Sequence, residues 1–135
     1  MADMKCTFLH SADWQLGKPF AGVDDVQKRA LLQNERIAVI GRLAGKAKEY
    51  GAEFVVVAGD LFDSPRATKS TVAAACSAIG AIGIPVFAIP GNHDHGGAGS
   101  LWEQEFFKRE RNQLAPNLKI LLTPEPVELE SAVLF

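Results

Sequence analysis

The sequence contains few of the features that would assign it to several large classes of protein. It has only two cysteines, Cys6 and Cys76, and no C-x-x-C pair, which argues against a disulfide scaffold or a structural zinc site. We expect both to be buried free thiols, as in a reducing cytoplasm. No apolar run approaches the ~20 residues that a membrane span needs. Lys5 interrupts the short apolar patch of residues 1–10, so we expect no signal peptide there. We therefore expect a cytoplasmic chain that makes no membrane contact.

Positive charge is also scarce. The formal net charge is -2, which excludes nucleic-acid binding by bulk positive charge but leaves a local basic patch possible. What is present is apolar: 47% of the 135 residues are hydrophobic, enough for the core of at most one domain.

Apolar runs and helical periodicity alternate along the chain. Asp24 or Asp25 can cap a long helix that ends at Gly51, and Ser64-Pro65 offers a start for the next helix. The predicted strands are 5–10, 53–59, 84–90 and 117–122, and the predicted helices are about 25–50, 66–81 and 100–112. This βαβαβαβ order predicts an α/β fold, a mostly parallel sheet with helices on its faces. The second strand, a continuous β-branched run, is expected to be buried on both faces.

The last segment, "VELESAVLF", reads as one strand or as two strands meeting at a turn. It stops inside the apolar run Val133-Leu134-Phe135, whereas chain ends are usually polar. We expect residues 1–135 to be the N-terminal part of a larger domain, apparently truncated at the C-terminus. A short protein with a docked terminal strand is the alternative.

Polar side chains follow each of the first three predicted strands. The carboxyl ends of parallel strands share one edge of a sheet, where ligands bind in such folds. Oxygen ligands with one or two histidines suit Mn²⁺, Fe²⁺, Mg²⁺ or Zn²⁺. Two such ions about 4 Å apart could clamp a phosphate and generate a hydroxide nucleophile. The polar residues at these strand ends are Asp13 and Gln15; Asp60 and Asp63; and Asn92, His93, Asp94 and His95.

Each short motif alone also has an ordinary structural interpretation. "GD" and "GN" are common turn dipeptides, and Asp13 could cap the next segment. Asp63 could contact the site, but a helix cap is favoured. We expect His10 to be structural, and the aromatic neighbours of the ligands, Trp14 and Phe62, to pack in the core.

Three cationic or polar residues near the same edge are candidate substrate contacts: Lys18, Arg66 and His95. Scattered surface charge is the simpler interpretation of Lys18 and Arg66.

The three motifs together resemble a known family. "SADWQLG", "VVVAGDLFD" and "IPGNHDH" are similar, in order and spacing, to the first motifs of calcineurin-like metallophosphoesterases. They most resemble SbcD-type DNA repair exonucleases, the bacterial relatives of the Mre nuclease subunit. The resemblance covers about residues 5–95 and implies the N-terminal half of a metallophosphoesterase sandwich.

Position by position, the resemblance implies a role for each matched residue. Asp13 would bind the first metal, Asp60 would bridge both metals, and Asn92 would bind the second. His93 would lie near the scissile phosphate, where it would stabilise charge or protonate the leaving oxygen. Asp94 would orient His93 by hydrogen bonding.

The sequence departs from the family pattern at two places. The first motif of the family is D-x-H, and here Gln15 replaces the histidine. An amide oxygen is a poorer donor than imidazole, so we expect a first metal site that is weaker or more selective for Mn²⁺ or Mg²⁺. The family also has downstream G-H and G-H-x-H motifs, and no histidine follows His95. The isolated chain is therefore expected to be inactive.

Three functions stay open at the level of the sequence. The resemblance implies a two-metal phosphodiesterase acting on DNA, with manganese as the expected ion, in a homodimer that works with an SMC-like ATPase of the SbcC type. A non-catalytic scaffold that binds a partner is the alternative from another class. A phosphodiesterase for small phosphodiesters or nucleotides is a further alternative.

Overall fold

A computed structural model describes residues 5–135 and contains a parallel sheet flanked by helices. Four strands pair in parallel in the order of the chain, β1-β2-β3-β4. The α/β class and the mostly parallel sheet are thus confirmed. The strands of this sheet are β1 Phe8–Ser11, β2 Phe54–Ala58, β3 Val86–Ile89 and β4 Leu118–Ile120, and the helices are α1 Val26–Tyr50, α2 Lys69–Gly80 and α3 Glu105–Leu114.

The end of the chain folds back on itself. The strands β5 Val127–Glu128 and β6 Val133–Leu134 form a separate antiparallel hairpin. Of the two arrangements that the sequence left open for this segment, two strands meeting at a turn is the correct one.

The helices share one face of the sheet. Strands that follow chain order through right-handed crossovers place every connecting helix on the same side. The core accordingly joins one face of the strands, including Val55, Val57 and Ala88, to helix residues such as Ile40 and Ile79. The opposite face is covered only in part, because Phe8 is 50% exposed. Phe8 stacks on Phe54 there with ring centroids 5.1 Å apart.

This one-sided cover limits the burial of β2. Phe54, Val55 and Val57 are buried, but Val56 is half-buried and Ala58 is exposed. The expectation that β2 is buried on both faces therefore holds for only part of the strand.

The ends of α1 lie where local sequence chemistry places them. The Asp25 carboxylate accepts hydrogen bonds from the backbone N–H groups of Gln27 and Lys28, at 2.9 and 3.1 Å. Gly51 ends the helix with a φ of 66°, a left-handed conformation that glycine adopts readily. The predicted cap and the predicted stop are both confirmed.

The second helix begins later than predicted. Its cap is Thr68, whose hydroxyl accepts from the N–H of Thr71 at 3.2 Å. The Ser64 hydroxyl instead accepts from the N–H of Arg66 in a preceding turn. The predicted start at Ser64-Pro65 is wrong because Ser64 closes this local turn. The predicted helix 100–112 is also interrupted, since a 3-10 turn at Leu101–Glu103 precedes α3.

The two cysteines differ in their environments. Cys76 is fully buried on α2, as predicted, and burial, aided by the charge of Glu110, raises the pKa of its thiol to about 11. Cys6 is exposed, so the expectation of burial was wrong for this residue. Cys6 lies just before the first strand, β1. Its sulfur lies 3.6 Å from the hydroxyl oxygen of Ser131.

Within residues 5–135, no helix combines the length and the apolar character needed to cross a membrane.

Candidate functional site

The loops that follow β1 and β2 are joined by backbone hydrogen bonds. The N–H of Asp13 donates to the carbonyl of Gly59 at 3.1 Å, and the N–H of Gln15 donates to the carbonyl of Asp60 at 2.9 Å. A further bridge pairs Leu16 with Phe62. The first and second sequence motifs therefore lie side by side at the carboxyl edge of the sheet, as the parallel order predicts.

Two glycines bring the third loop against the second. A Cβ atom built on Gly91 would collide with the carboxylate and the backbone nitrogen of Asp60. Gly59 has a φ of +90°, and a Cβ there would lie 3.2 Å from the Cα of Gly91. Only glycine allows this close approach of the second and third loops. The Asp60 carboxylate can then accept from the N–H of His93 at 2.9 Å.

Three of the candidate metal ligands have positive φ angles, a backbone conformation that residues other than glycine rarely adopt. Asp13, Gln15 and Asp60 have φ values of 56°, 45° and 55°. Such conformations cost on the order of 1–3 kcal/mol each and concentrate at functional sites, although aspartate tolerates them better than glutamine does. The ladder of hydrogen bonds between the two loops holds these residues in place.

The candidate ligand set consists of oxygen donors only. Two are carboxylates, on Asp13 and Asp60, and two are amide oxygens, on Gln15 and Asn92. Among the residues described, no group of three histidine, cysteine, aspartate or glutamate side chains forms a metal site. Carboxylate and amide oxygens fit hard divalent cations such as Mg²⁺ and Mn²⁺. The donor chemistry therefore fits a hard ion, with fewer charged ligands than a two-metal site usually has.

The partner of His93 is Asp63. The Nδ1 atom of His93 lies 3.0 Å from the backbone carbonyl oxygen of Asp63 and 3.9 Å from its carboxylate. Because the helix cap is Thr68, the cap favoured for Asp63 in the sequence is not its role. Sequence reasoning missed this pairing, because it joins residues 30 positions apart and has no local signal.

The Asp94 carboxylate bonds to backbone groups and not to the His93 ring. It is fully buried, and its carboxylate accepts from the backbone N–H groups of Phe62 at 2.9 Å and Gly91 at 2.7 Å. The geometry thus differs from the implied role of orienting His93. Burial raises the pKa of the Asp94 carboxyl, and the charge of Asp60 adds to this, against the opposing effect of the backbone N–H donors. Asp94 therefore links the second and third loops beneath the site.

Two further residues support the loops and were missed in the sequence. The Arg36 guanidinium donates to the carbonyl of Trp14 at 2.9 Å, which ties the first loop to α1. The Trp102 indole donates to the carbonyl of Asp94 at 3.1 Å. The first contact joins residues 22 positions apart and the second joins residues eight positions apart, and neither has a local sequence signal.

The remaining candidates are distributed around the edge. The Lys18 ammonium lies 3.4 Å from the Gln15 amide oxygen, so it lies at the site. Arg66 is exposed in the turn that follows Asp63, and His95 is exposed at the end of the third motif. Of the residues given ordinary interpretations, Trp14 and Phe62 are buried in the core as expected, and His10 is exposed on β1.

Comparison with models of known protein families identifies the family of the chain. The model of the calcineurin-like phosphoesterases matches residues 6–130, nearly the whole chain. The chain belongs to this family, whose members are metallophosphoesterases that usually bind divalent metals and hydrolyse phosphoesters.

Proposed function

We propose that this chain carries the metal-dependent phosphodiesterase site of a DNA nuclease, resembling the SbcD-type exonucleases. The observation that carries the proposal is the convergence of three strand-end loops, in which the Asp60 carboxylate accepts from the N–H of His93 and Asp63 lies beside the His93 ring. These contacts support a site at the exposed carboxyl edge of the sheet, which a polymer can reach.

The residues divide into ligands and a proton donor. Asp13, Gln15, Asp60 and Asn92 would hold divalent metal, which when bound supplies charge stabilisation of the phosphate and activation of water. His93 would donate a proton to the leaving oxygen from its exposed ring. Asp63 would hold that ring by its contact with Nδ1.

DNA is the proposed substrate because of the motif resemblance and the open edge. Lys18 and Arg66 can contribute phosphate contacts. The net charge of -2 leaves most DNA affinity to a partner, for which we propose an SMC-like ATPase of the SbcC type, with homodimerisation of this subunit. Manganese is the proposed ion.

The test is hydrolysis of a 5′-labelled DNA duplex and of bis(p-nitrophenyl) phosphate, each with Mn²⁺. Because the isolated chain is expected to be inactive, the assay includes the proposed SMC-like ATPase partner. We expect the activity of this complex on DNA to fall at least 100-fold in Asp60→Asn and in His93→Ala, with Lys48→Met unchanged as a control. Cleavage of bis(p-nitrophenyl) phosphate without DNA cleavage would favour the small phosphodiesterase. Activity that survives Asp60→Asn would refute the proposed site.

A non-catalytic scaffold is the second candidate. It is favoured by the small number of charged ligands, because no group of three metal-binding His, Cys, Asp or Glu side chains is found in residues 5–135. A folded chain that shows no metal-dependent hydrolysis of either substrate even with the proposed ATPase partner present would support it.

A further inference from the structure

The glutamine at the position where the family has histidine has a cationic partner within the chain. Gln15 is half-buried, and its amide oxygen lies 3.4 Å from the Nζ atom of Lys18. A backbone hydrogen bond from the N–H of Lys18 to the carbonyl of Gln15, at 3.2 Å, forms the turn that brings the two side chains together. The contact is therefore built into the first loop.

A second contact holds the ammonium in place. Lys18 Nζ lies 5.8 Å from the centre of the Phe20 ring, within the range of a cation–π interaction. The guanidinium of Arg36 lies 5.3 Å from the same ring, and it also bonds to the first loop at the carbonyl of Trp14. The aromatic ring and the amide oxygen together leave the ammonium next to Gln15, one of the candidate ligands.

An ammonium and a metal ion compete for the same amide oxygen. A metal ion on Gln15 would face the Lys18 charge at close range, and like charges repel strongly where water is partly excluded. The two carboxylates of the ligand set, on Asp13 and Asp60, give limited negative charge to offset a lysine and two divalent ions. Replacement of histidine by glutamine thus suits a site in which lysine is the neighbouring cation.

We propose that the Lys18 ammonium takes the place of the first metal ion, so that the chain binds one divalent ion, at Asp60 and Asn92, instead of two. This inference rests on the proposed function, because it concerns the same metal site. Lys18 then supplies a fixed positive charge beside the single ion.

The experiment is a Mn²⁺ titration of the purified 135-residue chain, with free Mn²⁺ followed by electron paramagnetic resonance. We expect one bound ion in the unsubstituted chain and in Lys18→Arg, which keeps the charge. In Lys18→Met we expect a second bound ion, or at least 10-fold tighter binding. Lys18→Gln, a polar substitution, is expected to behave like Lys18→Met if the methionine variant does not fold.

The control is Lys48→Met, which removes an exposed lysine from the last turn of α1, at the opposite end of the sheet, and should bind like the unsubstituted chain. Two ions bound by the unsubstituted chain, or equal binding by it and by the Lys18 variants, would overturn the inference.

Asp60→Asn separates this inference from the proposed function. If Asp60→Asn loses the ion while the Lys18 variants bind as the unsubstituted chain does, the metal site stands and only the role of Lys18 is refuted. If Mn²⁺ binding is absent or is insensitive to Asp60→Asn, the proposed metal site fails and the lysine inference fails with it.

Discussion

Among single residues, Asp94 shows how a buried charge can serve structure at the edge of a site. Its carboxylate satisfies two backbone N–H groups from different loops, those of Phe62 and Gly91. Removal of such an acceptor leaves buried donors without a partner, which costs more than the bonds themselves contribute. The loops that carry Asp60 and His93 are therefore held together in part by Asp94, through its bonds to the backbone of Phe62 and Gly91.

We expect Asp94→Ala to lower the free energy of unfolding by about 3 kcal/mol, because two backbone donors lose their acceptor. Asp94→Asn keeps one oxygen acceptor and should cost about half as much. Urea unfolding followed by circular dichroism measures both values. Asp24→Ala, at an exposed aspartate before α1, is the matched control and should cost less than about 0.5 kcal/mol. Equal losses for Asp94 and Asp24 would show that the buried contacts are unimportant.

The two cysteines should differ sharply in reactivity. Cys6 is exposed, whereas Cys76 is buried with a pKa raised to about 11 from 9.0, and the thiolate is the reactive form. At pH 8 we expect a thiol reagent such as dithiobis(nitrobenzoate) to modify one cysteine rapidly, and Cys6→Ser to remove that reaction. The second thiol should react only on unfolding in urea. Rapid reaction of two thiols in the folded chain would contradict this expectation.

The same pKa also predicts a dependence of stability on pH. The folded-state pKa of Cys76 lies above its unfolded value of 9.0, so folding favours the neutral thiol. This contribution is fully present below pH 9 and is lost as the pH rises towards 11. The stability difference between the unsubstituted chain and Cys76→Ala should therefore decrease over that window.

Among the elements, the start of α2 shows a competition between two nearby caps. Ser64 and Thr68 both have hydroxyls suited to a helix N-terminus. Ser64 bonds to Arg66 two residues later and closes a turn, while Thr68 bonds to Thr71 and begins the helix. Because α2 begins only after Thr68, Asp63 lies outside the helix and contacts His93 instead of capping a helix.

Substitution of the two hydroxyls should separate these roles. Thr68→Ala is expected to lower the free energy of unfolding by about 1 kcal/mol through loss of the cap, whereas Ser64→Ala should cost only a few tenths. Thermal or urea unfolding of the two variants gives the comparison. A larger loss for Ser64→Ala would mean that the helix begins near Pro65.

At the scale of the whole molecule, the helices cover one face of the sheet and the other face stays partly open. Neighbouring residues on β2 therefore have unequal environments: Val57 is buried in the core beneath the helices, and Val56 is half-buried on the opposite face. The face without helices is covered in part by the hairpin of β5 and β6. The rings of Phe8 and Phe87 also pack there, against Phe54.

Matched substitutions in β2 measure this asymmetry. Val57→Ala should lower the free energy of unfolding by about 2–3 kcal/mol, from lost burial and a residual cavity. Val56→Ala removes the same atoms from the partly covered face and should cost about 1 kcal/mol or less. Urea unfolding of both variants checks the difference. Equal losses would mean that both faces are equally packed in solution.

The sequence by itself determined the features that depend on neighbouring residues. The apolar runs, the Asp25 cap and the Gly51 stop set the strands and α1, since these signals act over a few residues. Chain order then predicted a parallel sheet whose ends collect Asp13, Asp60 and Asn92 at one edge. The family motifs could be identified for the same reason, because each is a contiguous stretch at a strand end.

Only the tertiary structure decided which side chains meet across loops. Asp63 contacts His93 over 30 residues of sequence separation, while the adjacent Asp94 turns into the core. The exposure of Cys6 likewise follows from packing. These outcomes depend on how segments distant in sequence share space, and no local propensity or spacing carries that information.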